Sequence, residues 1–418
     1  MAKKIRLTAM VLVLALMLSA CGTRMDKTSE LLKYKDADKI KSLEAAATAF
    51  YESSGLQGLS VGVLVDGHVR FFNFGLTEEN GAAITEDTRF DLGSLTQVFT
   101  GVTYGESIYR RYLSDGSELK KIFPFLSLPQ WEGKDLITFG QLATHRSGFE
   151  SAPGNLPREE APYTAYSELA LRRYLSTAEL QTKPGSAYSP EGMDMGLLGF
   201  ALEVARRTPY EQHVKNVIMY SIGMTRTTAT FDPESDSHLK SWATPHSADG
   251  KQLPHEEYGA LQGMAAFRST AYDMMLFAWC HMNMPGTEDT FTKPEAEGRS
   301  VEEQLYLSSY GSDGKVISEI ATVTAEMLKV QSVIERLHAG MRIAQDEHYT
   351  DGTVRLGYGY ILDEMNGKDY VWQRGGDAGN AGYIGFVPQT ATAVVALSNT
   401  GSDVSQLGEA LLKIINGN

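Results

Sequence analysis

Ser94 is the residue around which chemistry can be built. It lies in Phe90-Asp-Leu-Gly-Ser94-Leu-Thr-Gln97-Val-Phe-Thr100, just before an apolar-periodic stretch from about Thr96 to Leu113 that reads as a helix. A serine at a helix start has backbone N–H groups aimed outward near the positive end of the dipole. That geometry suits both a nucleophile and an oxyanion. A base at i+3 would share the helix face and reach the hydroxyl. Here that position is Gln97, an amide with no basic function at a useful pH. Taken alone, a serine at a helix start is usually only a cap.

Other stretches give the serine a context. Asp87-Thr-Arg-Phe90 through Ser94-Leu-Thr-Gln97-Val-Phe-Thr100 resembles the nucleophile segment of class C β-lactamases and of the related esterases and D-alanyl peptidases. Ile137-Thr138 through His145-Arg-Ser-Gly148-Phe is similar to the Thr-His-x-Ser-Gly stretch of that family. Ser269-Thr-Ala-Tyr-Asp273-Met is similar to another of its segments, and Trp372-Gln-Arg-Gly375-Gly through Pro388 to its third-motif strand. The resemblance runs in order from about Leu56 to the end of the chain. It implies an α/β fold of the β-lactamase/transpeptidase type, an antiparallel sheet flanked by helices with an all-helical lobe, and a cleft between them.

The resemblance also marks where this chain departs. The family carries Ser-x-x-Lys, and this chain has Ser94-x-x-Gln97. A neutral lysine beside the serine can take its proton, which an amide cannot. The second motif, Tyr-x-Asn, lies between Pro184-Gly185 and Leu197-Leu198-Gly199. Ungapped, its two positions fall on Pro190 and Gly192; a two-residue shift puts Tyr188 at the tyrosine and Pro190 at the asparagine. The third motif, Lys-Thr-Gly or His-x-Gly, aligns with Gln373-Arg374-Gly375. Arg374 is an addition that either grips a carboxylate bidentately or sits solvated. In this family the oxyanion N–H groups belong to the nucleophile and to the residue after the third-motif glycine, here Ser94 and Gly376. Glu191 and Tyr188 are the candidate substitute bases, and Asp377 either tunes the oxyanion position or shapes a turn. His145 reads as structural. Asp232, Glu234, Asp236 and His238 crowd one loop at a spacing that fits no metal pattern. No metal or other cofactor is expected.

These departures point to a catalytically impaired relative that binds peptidoglycan-type peptides or a protein partner. The alternative is an active serine hydrolase, an esterase, D-alanyl carboxypeptidase or weak β-lactamase, that uses Ser94 with a non-standard base.

The elements that must position these residues come from both ends of the chain. Ser60 to Val65, the turn signal Asp66-Gly67, and Val69 to Phe74 read as a hairpin. Helical patterns cover Ile137 to Leu142, Glu168 to Tyr174, Leu197 to Arg207 and Ser269 to Met282. Strands are expected at Gly357 to Leu362, Tyr370 to Gln373, Tyr383 to Val387 and Ala393 to Ser398, then a helix from Val404 to Ile415. The expected organisation is a leader at 1–20, a tether at 21–35 and one domain at 36–418. Within the domain, the sheet comes from about 36–92 and 350–418, and the helical lobe from about 93–349. Glu288 to Lys315 reads as a surface insertion.

The first residues read as targeting. Lys3, Lys4 and Arg6 precede an apolar run from Leu7 to Leu18, too short for a comfortable membrane span. Leu18-Ser19-Ala20-Cys21 then resembles a bacterial lipobox, which implies a lipid on Cys21, attachment to a membrane, and a location in the bacterial cell envelope facing the periplasm or the outer surface. The formal charge of −14 argues against nucleic acid as a partner. With Cys21 assigned, Cys280 is left alone, so no disulfide framework is expected.

Overall fold

The computed structural model describes residues 37–66, 68–134, 136–158, 161–190, 192–232, 242–282 and 332–417. The leader, Cys21, Glu191, Glu234, Asp236, His238 and the 288–315 insertion lie outside the described residues.

Aliphatic and small residues alternate along strand β1 (Gly58–Val65), and the phenylalanine-rich β2 (His68–Gly75) returns beside it, with Asp66 in the left-handed region at φ 49°. Both faces of β1 are buried, because the sheet lies between two layers of helix. Val61 and Val63 face an outer core with Ile40, Leu43, Leu411 and Ile415, whereas Leu64 faces an inner core with Phe99 and Phe277. Each such aliphatic side chain contributes about 1.5–3 kcal/mol when fully removed from water. Gly62 faces inward, where an added Cβ would lie 3.1 Å from Met275.

Beyond the hairpin come β3 (Arg89–Asp91) and β4 (Arg268–Thr270), a separate antiparallel pair, and then β5 (Tyr349–Thr350), β6 (Arg355–Leu356), β7 (Ile361–Met365), β8 (Lys368–Gly376), β9 (Ala381–Val387) and β10 (Thr392–Ser398). The large sheet runs β2-β1-β10-β9-β8-β7-β6-β5 with every pairing antiparallel, so strands from the two ends of the chain meet where β1 pairs with β10.

The helices that matter for the site are α1 (Ala37–Ser54), α2 (Thr96–Tyr109), α3 (Phe139–Ala143), α4 (Glu168–Thr177), α5 (Met193–Arg206), α6 (Ala271–Met282), α7 (residues 332–345) and α8 (Ser405–Asn416). Helices α1 and α8 cover the outer face of the sheet, and α6 the inner face. Helix α2 is buried from Thr96 to Ser107, at the centre of the helical lobe. Among the described residues, no helix is long and apolar enough to cross a membrane.

The expected strand and helix positions differ in several places. The strand expected at 357–362 is interrupted by a turn, because Gly359 adopts φ 73° where a Cβ would lie 2.3 Å from the carbonyl oxygen of Gln97. The helix expected to reach Leu113 stops at Tyr109, where Arg111 turns left-handed at φ 59°. Ser269 and Thr270 belong to β4, and helix α6 starts only at Ala271. Helix α1 was not anticipated, although Ile40, Leu43 and Ala47 make its buried stripe. Cys280 is buried in α6, as its apolar neighbours suggested.

Candidate active site

The nucleophile turn is made by strand β3, a single 3-10 turn at Gly93–Leu95, and helix α2. Gly93 holds φ 51°, a conformation that favours glycine. An added Cβ there would lie 2.6 Å from the carbonyl carbon and oxygen of Gly376, and one on Gly375 would lie 2.2 Å from the Leu95 nitrogen. The end of β8 is therefore pressed backbone to backbone against the turn that carries Ser94. This brings Ser94 and Gly376, the two expected oxyanion positions, into one neighbourhood. Ser94 is half-buried, and its hydroxyl makes no hydrogen bond to another described residue.

Gln97 is 3% exposed on the first turn of α2, so the place of the usual lysine is filled by a buried amide. Its own carbonyl abuts Gly359, and the carbonyl of Gly359 accepts a hydrogen bond from Gln373 Nε2 at 3.0 Å. Gln373 Oε1 accepts from the Arg374 N–H at 2.9 Å. Both ends of the Gln373 amide are thus bonded to backbone, and the side chain ties β8 to the turn behind Gln97. The pleat places Gln373 and Gly375 on the face toward this turn and Arg374 on the other. There the Arg374 side chain is 63% exposed and 3.5 Å from Asp403.

The second-motif region is a loop rather than a helix. Pro190 is exposed, and Gly192 precedes helix α5, with Met264 3.0 Å from where its Cβ would be. Tyr188 is half-buried. Its ring meets His145 edge-on at 6.1 Å, and the Ser189 N–H donates to the His145 carbonyl at 2.9 Å. Burial raises the Tyr188 phenol above its ordinary value; Arg374 lowers it and Asp351 raises it by lesser amounts. Tyr188, the shifted alternative for the tyrosine, is therefore the second-motif side chain that is electrostatically coupled to the third-motif strand.

His145 supports the loop at φ 54° and 7% exposure, the structural part expected of it. Thr138 caps α3 reciprocally with Gln141, which fixes the entry to the His145 stretch. Arg146 stacks on Tyr349 at 4.0 Å and donates to the Gly185 carbonyl at 3.0 Å. Ser147 donates to Asp194 through both its N–H, at 3.0 Å, and its hydroxyl. Burial pushes the Asp194 carboxyl up to about 7, against the lowering effect of the Ser147 bonds. Asp377 makes the turn between β8 and β9, accepting from the Gly379 N–H at 2.8 Å and from Asn380 Nδ2 at 3.0 Å; burial and then Asp91 raise its pKa.

Sequence reasoning missed Asp194 and the group around Asp91. Asp91 lies 2.8 Å from His255 Nδ1 and 2.8 Å from Arg268 Nε, and these contacts hold the strand before the nucleophile turn against β4 and the 242–258 segment. Asp194 lies before the helix expected from Leu197, so nothing local marked it, and His255 is 164 residues from its partner. Among the described residues, no group of histidine, cysteine and carboxylate side chains could hold a metal ion.

With this geometry in place, the relatives can be set beside it. The family model described as Beta-lactamase matches residues 43–414. A beta-lactamase of Yersinia enterocolitica is 27% identical over 242 residues, 56% of this chain and 58% of that protein, so this match spans less than two thirds of the relative. One of Escherichia coli strain K12 is 23% identical over 402 residues, 88% of this chain and 91% of that one. A class C beta-lactamase structure superposes with a TM-score of 0.72 at 13% identity, covering 94% of this chain and 100% of the other. The D-alanine carboxypeptidase AmpC from Burkholderia cenocepacia gives 0.68 at 17% identity, covering 91% and 99%. The fold is therefore the β-lactamase/transpeptidase type that the motif resemblance implied, and the chain belongs to the beta-lactamase family.

Proposed function

We propose that this member of the family is an envelope lipoprotein that binds peptidoglycan-type peptides at the Ser94 site without turning them over. The observation that carries the reading is the replacement of both basic positions by amides, Gln97 and Gln373, in a site whose backbone frame around Ser94 and Gly376 is closely packed. A ligand carbonyl or carboxylate oxygen would be held by N–H donors of that frame. Gln97 is unable to take the serine proton, and Gln373 is engaged with backbone at both ends. Tyr188 is a weak replacement, because a phenol holds its proton at neutral pH and burial raises its pKa further. Losing one member of a serine catalytic set costs about 10⁴ to 10⁶ in rate in well-studied proteases.

The test is intact-protein mass spectrometry after incubation with a panel of β-lactams and activated esters, alongside calorimetric titration with a peptide ending in D-Ala-D-Ala. The reading expects saturable peptide binding and no mass adduct at Ser94. An adduct that disappears in Ser94→Ala would overturn it. The half-buried Ser94 hydroxyl at the helix start favours the second reading, an active serine hydrolase with a non-standard base, and such an adduct is that reading's expected result.

The membrane attachment belongs to the same proposal and rests on the Leu18-Ser19-Ala20-Cys21 stretch. Labelling with a fatty-acid analogue in a bacterial host is expected for the native chain and not for Cys21→Ser. Equal labelling of both would remove the anchor from the proposal.

A further inference from the structure

Helix α2 carries Ser94 before its start and a different set of charged groups at its other end, about 20 Å away by the rise of the helix. There Arg110 follows α2, Arg206 closes α5, and Arg336 lies on α7. The three line one cavity of about 200 Å³, together with Glu106, His213 and Asn216. Among the described residues that line it, three guanidinium groups thus face a single carboxylate. Glu106 is 4% exposed and 3.3 Å from Arg110. Burial raises its pKa even though Arg110, Arg336 and Arg206 all act to lower it.

Two further features point to a ligand. His213 is 6% exposed, and its Nδ1 is buried without a hydrogen-bond partner among the described residues. A buried polar atom left in this state is costly unless something else reaches it. Tyr112 also orients two of the arginines in advance, with Arg206 over its ring at 3.9 Å and Arg110 at 4.6 Å. Guanidinium groups already held in place lose little freedom on binding.

We propose that this cavity binds a small dianionic oxyanion, inorganic phosphate or the phosphoryl group of a small ester. Among the described lining residues, three guanidinium groups against one carboxylate leave two positive charges, which match a dianion. Guanidinium forks arriving from three helices suit the oxygens of a tetrahedral phosphoryl group better than the two in-plane oxygens of a carboxylate. The Asn216 amide and the His213 imidazole offer the remaining polar contacts.

The test is calorimetric titration of the full chain in detergent with inorganic phosphate and, in parallel, with glycerol phosphate. Saturable binding of at least one is expected, with a rise in Tm. Arg206→Gln and Arg336→Gln should each weaken it about tenfold, the usual weight of a charge-assisted hydrogen bond. Arg336→Lys, which keeps the charge and loses the fork, should fall between. Binding of inorganic phosphate alone identifies the free ion as ligand, and binding of glycerol phosphate alone identifies the ester. Absence of saturable binding of both, or unchanged affinity in folded Arg206→Gln and Arg336→Gln, overturns the site. If those variants do not fold, the imidazole resonances of His213 in the native chain decide: a shift on adding phosphate supports the site, and none overturns it.

Discussion

On one side of the candidate site, Gly93 and Gly375 leave no room for a methyl group between the nucleophile turn and the end of β8. On the other, Ser189 and Pro190 lie on an exposed loop, with Ser189 bonded to the backbone of His145. Between these extremes stand Gln97 and Gln373, whose side chains fit the existing frame. The amide of Gln373 bonds to Gly359 and Arg374, and that of Gln97 is buried. The backbone frame is fixed by close approach and does not depend on a base at 97 or 373. The shape of such a site is therefore no measure of its chemistry, and likeness of fold does not settle activity.

If that contrast holds, damage should fall off from the frame outward. Gly375→Ala is the harshest change, since its Cβ meets the backbone nitrogen of Leu95 and neither strand nor turn has a flexible atom to move. A loss of about 3 kcal/mol is expected in urea unfolding. A loss under about 1 kcal/mol would show that β8 can slide and that the frame is looser than its contacts imply.

Next is Asp194→Ala, which strands the Ser147 N–H and hydroxyl and should cost about 2 kcal/mol near pH 4. The pH dependence has a definite sign. The folded carboxyl titrates at about 7, above its ordinary 3.8, so its stabilising contribution is present in full below pH 3.8 and is lost as pH rises through 7. The gap between native and Asp194→Ala proteins should therefore shrink from pH 4 to pH 8. A gap that widens over this range would place Asp194 as a paired carboxylate instead.

How much of this was readable in advance depended on distance along the chain. The hairpin at 58–75 follows from local alternation and a turn signal, and the Ser94 turn from a short contiguous motif. Both put their information within a few residues. The β3–β4 pair has three residues in each strand, drawn from positions about 180 apart, and offers no periodicity to detect. The turn at Gly359 exists because the Gln97 carbonyl occupies the space a strand residue would need, a constraint that arises only in three dimensions. The same is true of His255 beside Asp91. The bonds that hold Gln373 run to Gly359, 14 residues away, and to Arg374 beside it, and no periodicity in the sequence marks either.

Among the side chains, Gln373→Ala gives up one bond to the buried Gly359 carbonyl and one to the N–H of exposed Arg374, so about 1.5 kcal/mol is expected. A loss as large as that of Gly375→Ala would erase the distinction between frame and side chains.

The smallest effect should come from Arg374→Ala. Its partner Asp403 is 3.5 Å away, and the two side chains are 63% and 51% exposed. An ion pair of this kind is screened by water and salt and costs side-chain freedom to form, so it contributes about 0 to 0.5 kcal/mol. Unfolding of Arg374→Ala should match that of the native chain within error, at low and at high salt. Any role of Arg374 would then lie in binding, and the peptide titration measures that directly. Weaker binding with unchanged stability would assign the guanidinium to the ligand, whereas a clear loss of stability would mean that Arg374 belongs to the frame.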